Sequence, residues 1–592
     1  MLKARELKKS TICYLTLIAP FFVLWSCGST LGRSVGHDDP SYGKGSRKSI
    51  GGWVSCTGES DDTAGVAKAF AAARHNAFVL VVDCPVRIKV GMDISRSIFI
   101  DDGTTVEFTG AGKFTVDNVQ IPAFVIADSS YITLTNWNVE YDASLSVNPQ
   151  NTGFVTNGRF IKGPKPANAF NDMRLSGWLA DNRAIVFDKR EGNVNSQWTG
   201  LTNACAVFFI TGDSSNLTVT GMRMYVPATA GGERFIAVAF ALGANFKSNQ
   251  TVTAKTPNTA QYVAVPHDLK FSNVTLDGTY MGWVGGLRHA LFENIESQRY
   301  GDLQDAQGGN LGGENKWFAP PHLFYFGYST TGDAGLFNED IHIRNVVDNG
   351  IRMGGARDRG GTDSLSGYAL SLKIGCVSCS VDNYKSARPD GFIDVLSCDG
   401  LTISNVTATY DSAFLNNVFP GWRFPSNSYK NLKFENITMI DSAPSSVQPP
   451  ISNAVQATNQ GIVFKNVHVE INRWAGQASL PLPTVAGPTN DVSLDYLIKA
   501  DASRIAMSQV GTVAGTLKAT PASLRVGDST VLTWAARQAS NCSGSGAWSG
   551  ALATSGSRTL TMSTAGDHEF TLSCQNGSDT SNATLHVSVS PR

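Results

Sequence analysis

A four-residue phrase returns along this chain as Phe271-Ser272-Asn273-Val274, Phe292-Glu293-Asn294-Ile295, Ile343-Arg344-Asn345-Val346, Ile403-Ser404-Asn405-Val406, Phe434-Glu435-Asn436-Ile437 and Phe464-Lys465-Asn466-Val467. Each copy is an apolar/polar alternation with Asn at a bend, followed by a second short alternating run, as over residues 401–409 and 432–440. Period-two alternation makes the units strands rather than helices. Self-similarity at roughly 20 to 50 residues makes them the stacked units of a solenoid. Parallel strands joined by crossovers are right-handed, so the expected fold is all-β, a right-handed parallel β-helix. An Asn amide both donates and accepts, so Asn at one bend of successive coils can bond from coil to coil as a ladder. That ladder is expected to satisfy polar groups at an inner corner.

Spacing refines the picture. The steps from Asn405 to Asn436 to Asn466 are 31 and 30, whereas Asn294 to Asn345 is 51. With Cys376 in the ladder position of its own coil, the interval from Asn345 to Asn405 divides into 31 and 29, and only the 51-residue step is anomalous. A coil that long must eject a loop, and insertions in solenoids gather on the binding face. Ile132-Thr133-Leu134-Thr135-Asn136-Trp137 matches the phrase more loosely, and Leu217-Thr218-Val219-Thr220-Gly221-Met222 carries Gly at the bend.

A net charge of −1 with only 16% charged residues leaves no electrostatic footprint for nucleic acid. The N-terminus sets Lys3, Arg5, Lys8 and Lys9 before an apolar run over residues 12–25, the layout of an export signal and short for a membrane span. Leu24-Trp25-Ser26-Cys27 resembles a bacterial lipobox, which implies removal of residues 1–26 and lipidation of Cys27. Residues 27–50 then form a tether, and the membrane is a partner through the lipid. The expected address is the outer membrane or cell surface, with the periplasm or the medium as alternatives. Ten cysteines fit an oxidising compartment. Cys56 with Cys84 is expected to staple the first coil, and Cys542 with Cys574 to lie within a C-terminal unit. The pairing among Cys205, Cys376, Cys379 and Cys398 is open. The Cys376-Val377-Ser378-Cys379 spacing lacks the second ligand pair of a zinc site. With no calcium-loop or phosphate-loop motif either, no metal and no cofactor are expected.

Glu59-Ser60-Asp61-Asp62-Thr63 offers helix-capping acceptors before an Ala-rich stretch over 64–74. This resembles the helix that seals the first coil of pectin-lyase-like β-helices. The resemblance implies a β-helix domain over 51–475. Residues 476–515, rich in Pro, Ala and Ser, read as end cap and linker, with a last strand or cap expected at 491–500. From 516 to 592, short strands with turn residues every 8 to 12 positions read as a small β-sandwich. Leu532-Thr533-Trp534, Cys542, Trp548-Ser549-Gly550 and Leu572-Ser573-Cys574 resemble bacterial immunoglobulin-like modules.

The stretch from Pro389-Asp390-Gly391-Phe392-Ile393-Asp394 through Ile403-Ser404-Asn405-Val406 resembles the polygalacturonase family of inverting glycoside hydrolases. The resemblance implies catalytic roles for Asp390 and, about one coil later, Asp411, with Asp394 a lesser candidate. Ser412 stands where the family has a second Asp. Stacked coils bring such positions to about 4.8 Å strand spacing. Glycoside hydrolysis needs one protonated acid and one ionised carboxylate. The long insertion adds Asp302, Asp305 and Glu314 as further acids, with Trp317, His322 and Tyr325 as sugar contacts. Arg352 and Arg357 suit carboxylate or sulfate groups, and Trp422, Arg423 and Lys430 extend the groove. A carbohydrate substrate is the expected partner. The alternatives are a lyase of uronate-containing glycan, using Arg or Lys as base, and a non-catalytic glycan-binding or adhesin solenoid.

Overall fold

The structure, a computed structural model, describes residues 45–90, 96–116, 122–141, 153–156, 159–162, 206–211, 213–226, 238–243, 245–246, 262–264, 266–279, 281–300, 322–326, 338–352, 369–372, 376–388, 391–395, 398–412, 422–423, 430–451, 461–476, 479–483 and 489–592. The export signal and Cys27 lie outside these residues. The described fold begins inside the stretch read as a tether. Arg47–Ser49 is already a strand, paired in parallel with Val79–Val82.

The repeated phrase builds one sheet, called here the bent sheet. Its strands include His267–Thr279, Arg288–Tyr300, Asn338–Arg352, Cys376–Ser386, Asp399–Tyr410, Lys433–Asp441 and Val463–Ile471, each parallel to the next. Asn273, Asn294, Asn345, Asn383, Asn405, Asn436 and Asn466 share one position on it, with φ between 51° and 56°. That left-handed backbone costs an ordinary L-residue about 1–2 kcal/mol, and Asn is among the few that visit it routinely. One left-handed residue flips the alternation, so the apolar residues on both sides of each Asn, such as Phe271 and Val274 or Phe434 and Ile437, enter the same core. The phrase is thus first a backbone signature.

It is also a ladder. The side-chain amide of each Asn donates to the previous coil's Asn at 3.0, 3.1, 2.9, 3.1 and 2.8 Å, and Asn405 donates instead to Asp382 at 2.7 Å. These asparagines are exposed, so the ladder runs along the outside of the bend and not at an inner corner. Cys376 does not occupy it. The pairs Arg344 with Asp382 and Val346 with Tyr384 place Asn383 there, 38 residues after Asn345, so that coil is long as well. Val381-Asp382-Asn383-Tyr384 is the phrase with Tyr in its last place. A second left-handed column, which the repeat did not reveal, passes through Tyr131, Asn216, Asp268, His289, Asp340, Ser378, Gly400, Asn431 and Gly461, with φ between 50° and 78°. Mixed residue types serve it, which hid it from a search for repeated letters.

The other face of the solenoid is a short sheet. Its parallel strands run from Ile98–Phe99 and Phe124–Ala127 through Ala206–Thr211, Val238–Gly243, Met281–Gly285, Phe324–Phe326, Leu370–Leu372 and Ile393–Val395 to Trp422–Arg423. Facing the bore, Phe124, Phe208, Phe240, Trp283 and Phe324 stack at centroid separations of 5.0, 5.1, 5.4 and 5.0 Å. Strand spacing of about 4.8 Å makes one aromatic per coil a continuous stack.

Both ends of the bore are closed. The helix Thr63–Ala73 buries Val66, Ala69, Phe70 and Ala73, and Phe70 meets Phe114, Phe124 and Trp137. Its acceptor is Asp61, which receives the Thr63 N–H at 3.2 Å, while Asp62 at the N-cap accepts from Ser55 instead. Cys56 and Cys84 are bonded beside it. At the far end, Asp491–Ile498 is the last parallel strand, and the sheet then continues antiparallel through Ser503–Val510, Val513–Thr520, Ser529–Arg537 and Ser555–Thr561. A second sheet, centred on Gly566–Asn576 and Asp579–Ser590, packs on it as a small β-sandwich that contains the Cys542–Cys574 disulfide. Ile505 and Met507 belong to the solenoid core while Ala506 between them belongs to the sandwich core. The last strand expected at 491–500 is thus present as Asp491–Ile498, while residues 503–515 are shared sheet rather than linker.

Candidate functional site

On the short sheet Val125, Phe209, Ala241, Tyr325 and Asp394 alternate with the residues that enter the bore core. The registers align Val125, Phe209, Ala241, Val284, Tyr325, Ser371, Asp394 and Arg423 in one column. It is apolar over its first half and polar over its second. Asp394 lies between Ile393 and Val395, both core residues, and is itself 1% exposed. A carboxylate buried on an outer face costs several kcal/mol unless its surroundings compensate. Ser371 and Arg423 occupy the register positions on either side of it.

The margin where chains pass from the bent sheet to the short sheet gathers other candidates. Arg352 ends its strand there, opposite Tyr300. His322 precedes Phe324–Phe326, buried, with its ring edge-on to Tyr325 at 4.9 Å; Tyr325 is 7% exposed, so neither presents an open face. Asp411, half-buried, leaves Asp399–Tyr410 as far beyond Ala408 as residue 389 lies beyond Ala408's register partner, Ser386. Its position is held through Ser412, whose N–H donates to buried Asp441 at 3.0 Å. Asp441 also accepts from the Ala443 N–H at 3.0 Å and from the Ser446 hydroxyl.

One coil earlier, the approach to Asp390 is anchored from inside the bore. Arg388, 1% exposed, donates from Nε to Asp348 at 2.8 Å, and the Asp348 side chain is fully buried. The Arg388 N–H meets the Ser386 hydroxyl at 3.3 Å. Burial, then the Asp348 charge, push the neighbouring Tyr384 phenol well above its usual range, so it stays protonated. This buried ion pair is not legible in the sequence, where its two partners stand 40 residues apart.

Trp422 shares its register position with Ile393, whereas Arg423 shares that of Asp394. Lys430, exposed, bridges Asp399 on the opposite margin, where chains leave the short sheet. Asp302, Asp305, Glu314, Trp317, Arg357, Asp390 and Cys205 lie outside the described residues. Cys376 and Cys379 are disulfide-bonded, and burial pushes the Cys398 thiol up to about 12. Among the described residues, no group of three His, Cys, Asp or Glu side chains is placed to hold a metal ion.

The chain matches no family model. It has no match among curated proteins. Among solved structures it is similar to the Dettilon tailspike protein, at 10% identity over 91% of this chain and 93% of that one, with a TM-score of 0.30. It is similar to an alginate lyase from Paenibacillus sp. str. FPU-7, at 12% identity over 72% and 95%, TM-score 0.28. A third is DFA-IIIase from Arthrobacter chlorophenolicus A6, at 10% identity over 76% and 94%, TM-score 0.31. With TM-scores below 0.5 these likenesses add nothing to the fold, which the hydrogen-bonded registers define.

Proposed function

We propose that this chain is an exported enzyme that cleaves a polysaccharide or oligosaccharide, an inverting glycoside hydrolase working on the polar half of the short sheet. The observation that carries the reading is the in-register column Tyr325, Ser371, Asp394 and Arg423, bordered by Asp411 on the adjoining margin. In this reading one carboxyl of the pair Asp390 and Asp394 protonates the leaving oxygen, and Asp411 activates water. Arg352 and Arg423 orient the substrate, and Asp302, Asp305, Trp317 and Arg357 supply further contacts from the insertions. Cys27 carries the lipid that holds the enzyme at a membrane, and the C-terminal sandwich is an immunoglobulin-like spacer. A Cys27→Ser variant that stays in the membrane fraction would remove the anchor from this reading.

A second reading, β-elimination on a uronate glycan, is favoured by the cation position beside Asp394, since an Arg can take the proton alpha to a carboxylate. Reducing ends and ultraviolet absorbance, followed together on neutral and acidic polysaccharides, separate the two. Hydrolysis gives reducing ends alone, and Asp394→Asn is expected to lower the rate at least about 100-fold, the scale of general acid catalysis, with folding intact. Absorbance that persists in Asp394→Asn and Asp411→Asn would replace the hydrolase with the lyase.

A further inference from the structure

Where the bent sheet turns antiparallel, its inner face leaves the bore and lines an open cavity of about 770 Å³. Ile505, Lys518 and Thr533 lie in register across three strands of this floor. Arg473, Trp474 and Leu482, from beyond the coil strand Val463–Ile471, line it as well. Trp474 and Leu482 pack against the solenoid core, so the cavity is apolar beneath. Gly476 leaves room for the indole, because a Cβ there would lie 2.2 Å from Trp474 Cζ2. On the rim, exposed Arg473 and half-buried Lys518 have no ion-pair partner among the described residues. The rim's acid, Asp501, accepts the Ser503 N–H at 3.0 Å.

We propose that this cavity is a second, non-catalytic saccharide site that takes an acidic sugar. A junction between domains, an apolar floor and a few polar groups are the features of small-ligand sites, and this volume is in their range. A pyranose ring presents C–H faces that pack on an indole. A uronate carboxylate matches the Arg473 and Lys518 cations, with Arg473 able to meet both oxygens at once. A neutral sugar would desolvate those cations and return no charge to them, so the site selects uronates. The site is separate from the short sheet and rests on the proposed glycan reading only for the choice of sugar as ligand.

Calorimetric titration of the full chain with trigalacturonate, trimannuronate and maltotriose tests this. Binding of an acidic trisaccharide, with no heat from maltotriose, is expected. Arg473→Glu and Lys518→Glu should each weaken that binding at least tenfold without changing the melting temperature or the turnover at the short sheet. Asp394→Asn should leave the affinity unchanged, which keeps the two sites distinguishable. Absence of binding by both acidic sugars overturns the proposal, as does equal binding of maltotriose. Affinity that survives both charge reversals also overturns it and assigns the heat to the short sheet.

Discussion

The two sheets of the solenoid obey the same coil spacing and differ in what each position must do. On the bent sheet, from Asn136 to Asn466, coil after coil repeats a backbone demand, a left-handed residue between two core residues, and the side chain that meets it is nearly always Asn. On the short sheet the inner column repeats aromatics, but the outer column changes from Phe209 and Ala241 to Tyr325, Ser371, Asp394 and Arg423 within a few coils. Repetition marks scaffold, where each coil solves the same problem. Departure from repetition marks the place where one coil is asked for something its neighbours are not.

The strongest test of that contrast is the Arg388–Asp348 pair, which ties the bent sheet to the approach of the short one. Asp348→Ala takes the buried carboxylate away from the buried Arg388 guanidinium and should cost about 3–5 kcal/mol in urea unfolding. Replacing both, as Arg388→Met with Asp348→Leu, should restore most of that loss. A cost below about 1 kcal/mol for the single change would show that the pair does not organise this junction.

Next in size is the ladder. Asn345→Val puts a β-branched residue at φ 56° and removes the hydrogen bonds to Asn294 and Asn383, for about 2 kcal/mol or more, while Asn345→Gly keeps the backbone and should cost less. Equal losses for Val and Gly would make the ladder, rather than the bend, the reason for Asn.

The smallest effect lies on the outer face of the last coils. His468 is held above its usual 6.5 by the hydrogen bond to Asp495, with Glu470 adding to the shift and partial burial opposing it. Its folded pKa exceeds the unfolded one. The stability it contributes is therefore complete below pH 6.5 and lost as pH rises through the raised value. Because the site is partly exposed, the change should stay within about 1 kcal/mol. His468→Gln should flatten the pH dependence of the melting temperature over that window, and an unchanged slope would rule the group out.

The repeat, the helical cap, two disulfides and the sandwich were legible because each has a local cause: left-handed φ calls for Asn, a helix end for nearby acceptors, a strand for alternation. Asn383 was legible in principle and was obscured by Tyr384 in the place of Val or Ile. The shared strand Ser503–Val510 was not legible, because residues that alternate between two cores look like any amphipathic strand. Asp394 showed only as one acid in an apolar run.

What the chain determines by itself is the bend in each coil, since that choice is made by a single residue and its own backbone. Which residues meet across coils was decided only in the tertiary structure. Partners such as Asp348 and Arg388 are 40 residues apart, and Asp394 and Arg423 come to neighbouring register positions only through the pairing of the short sheet. Register depends on where each long connection returns to the stack, and loop closure costs too little per added residue to write that return into the loop itself.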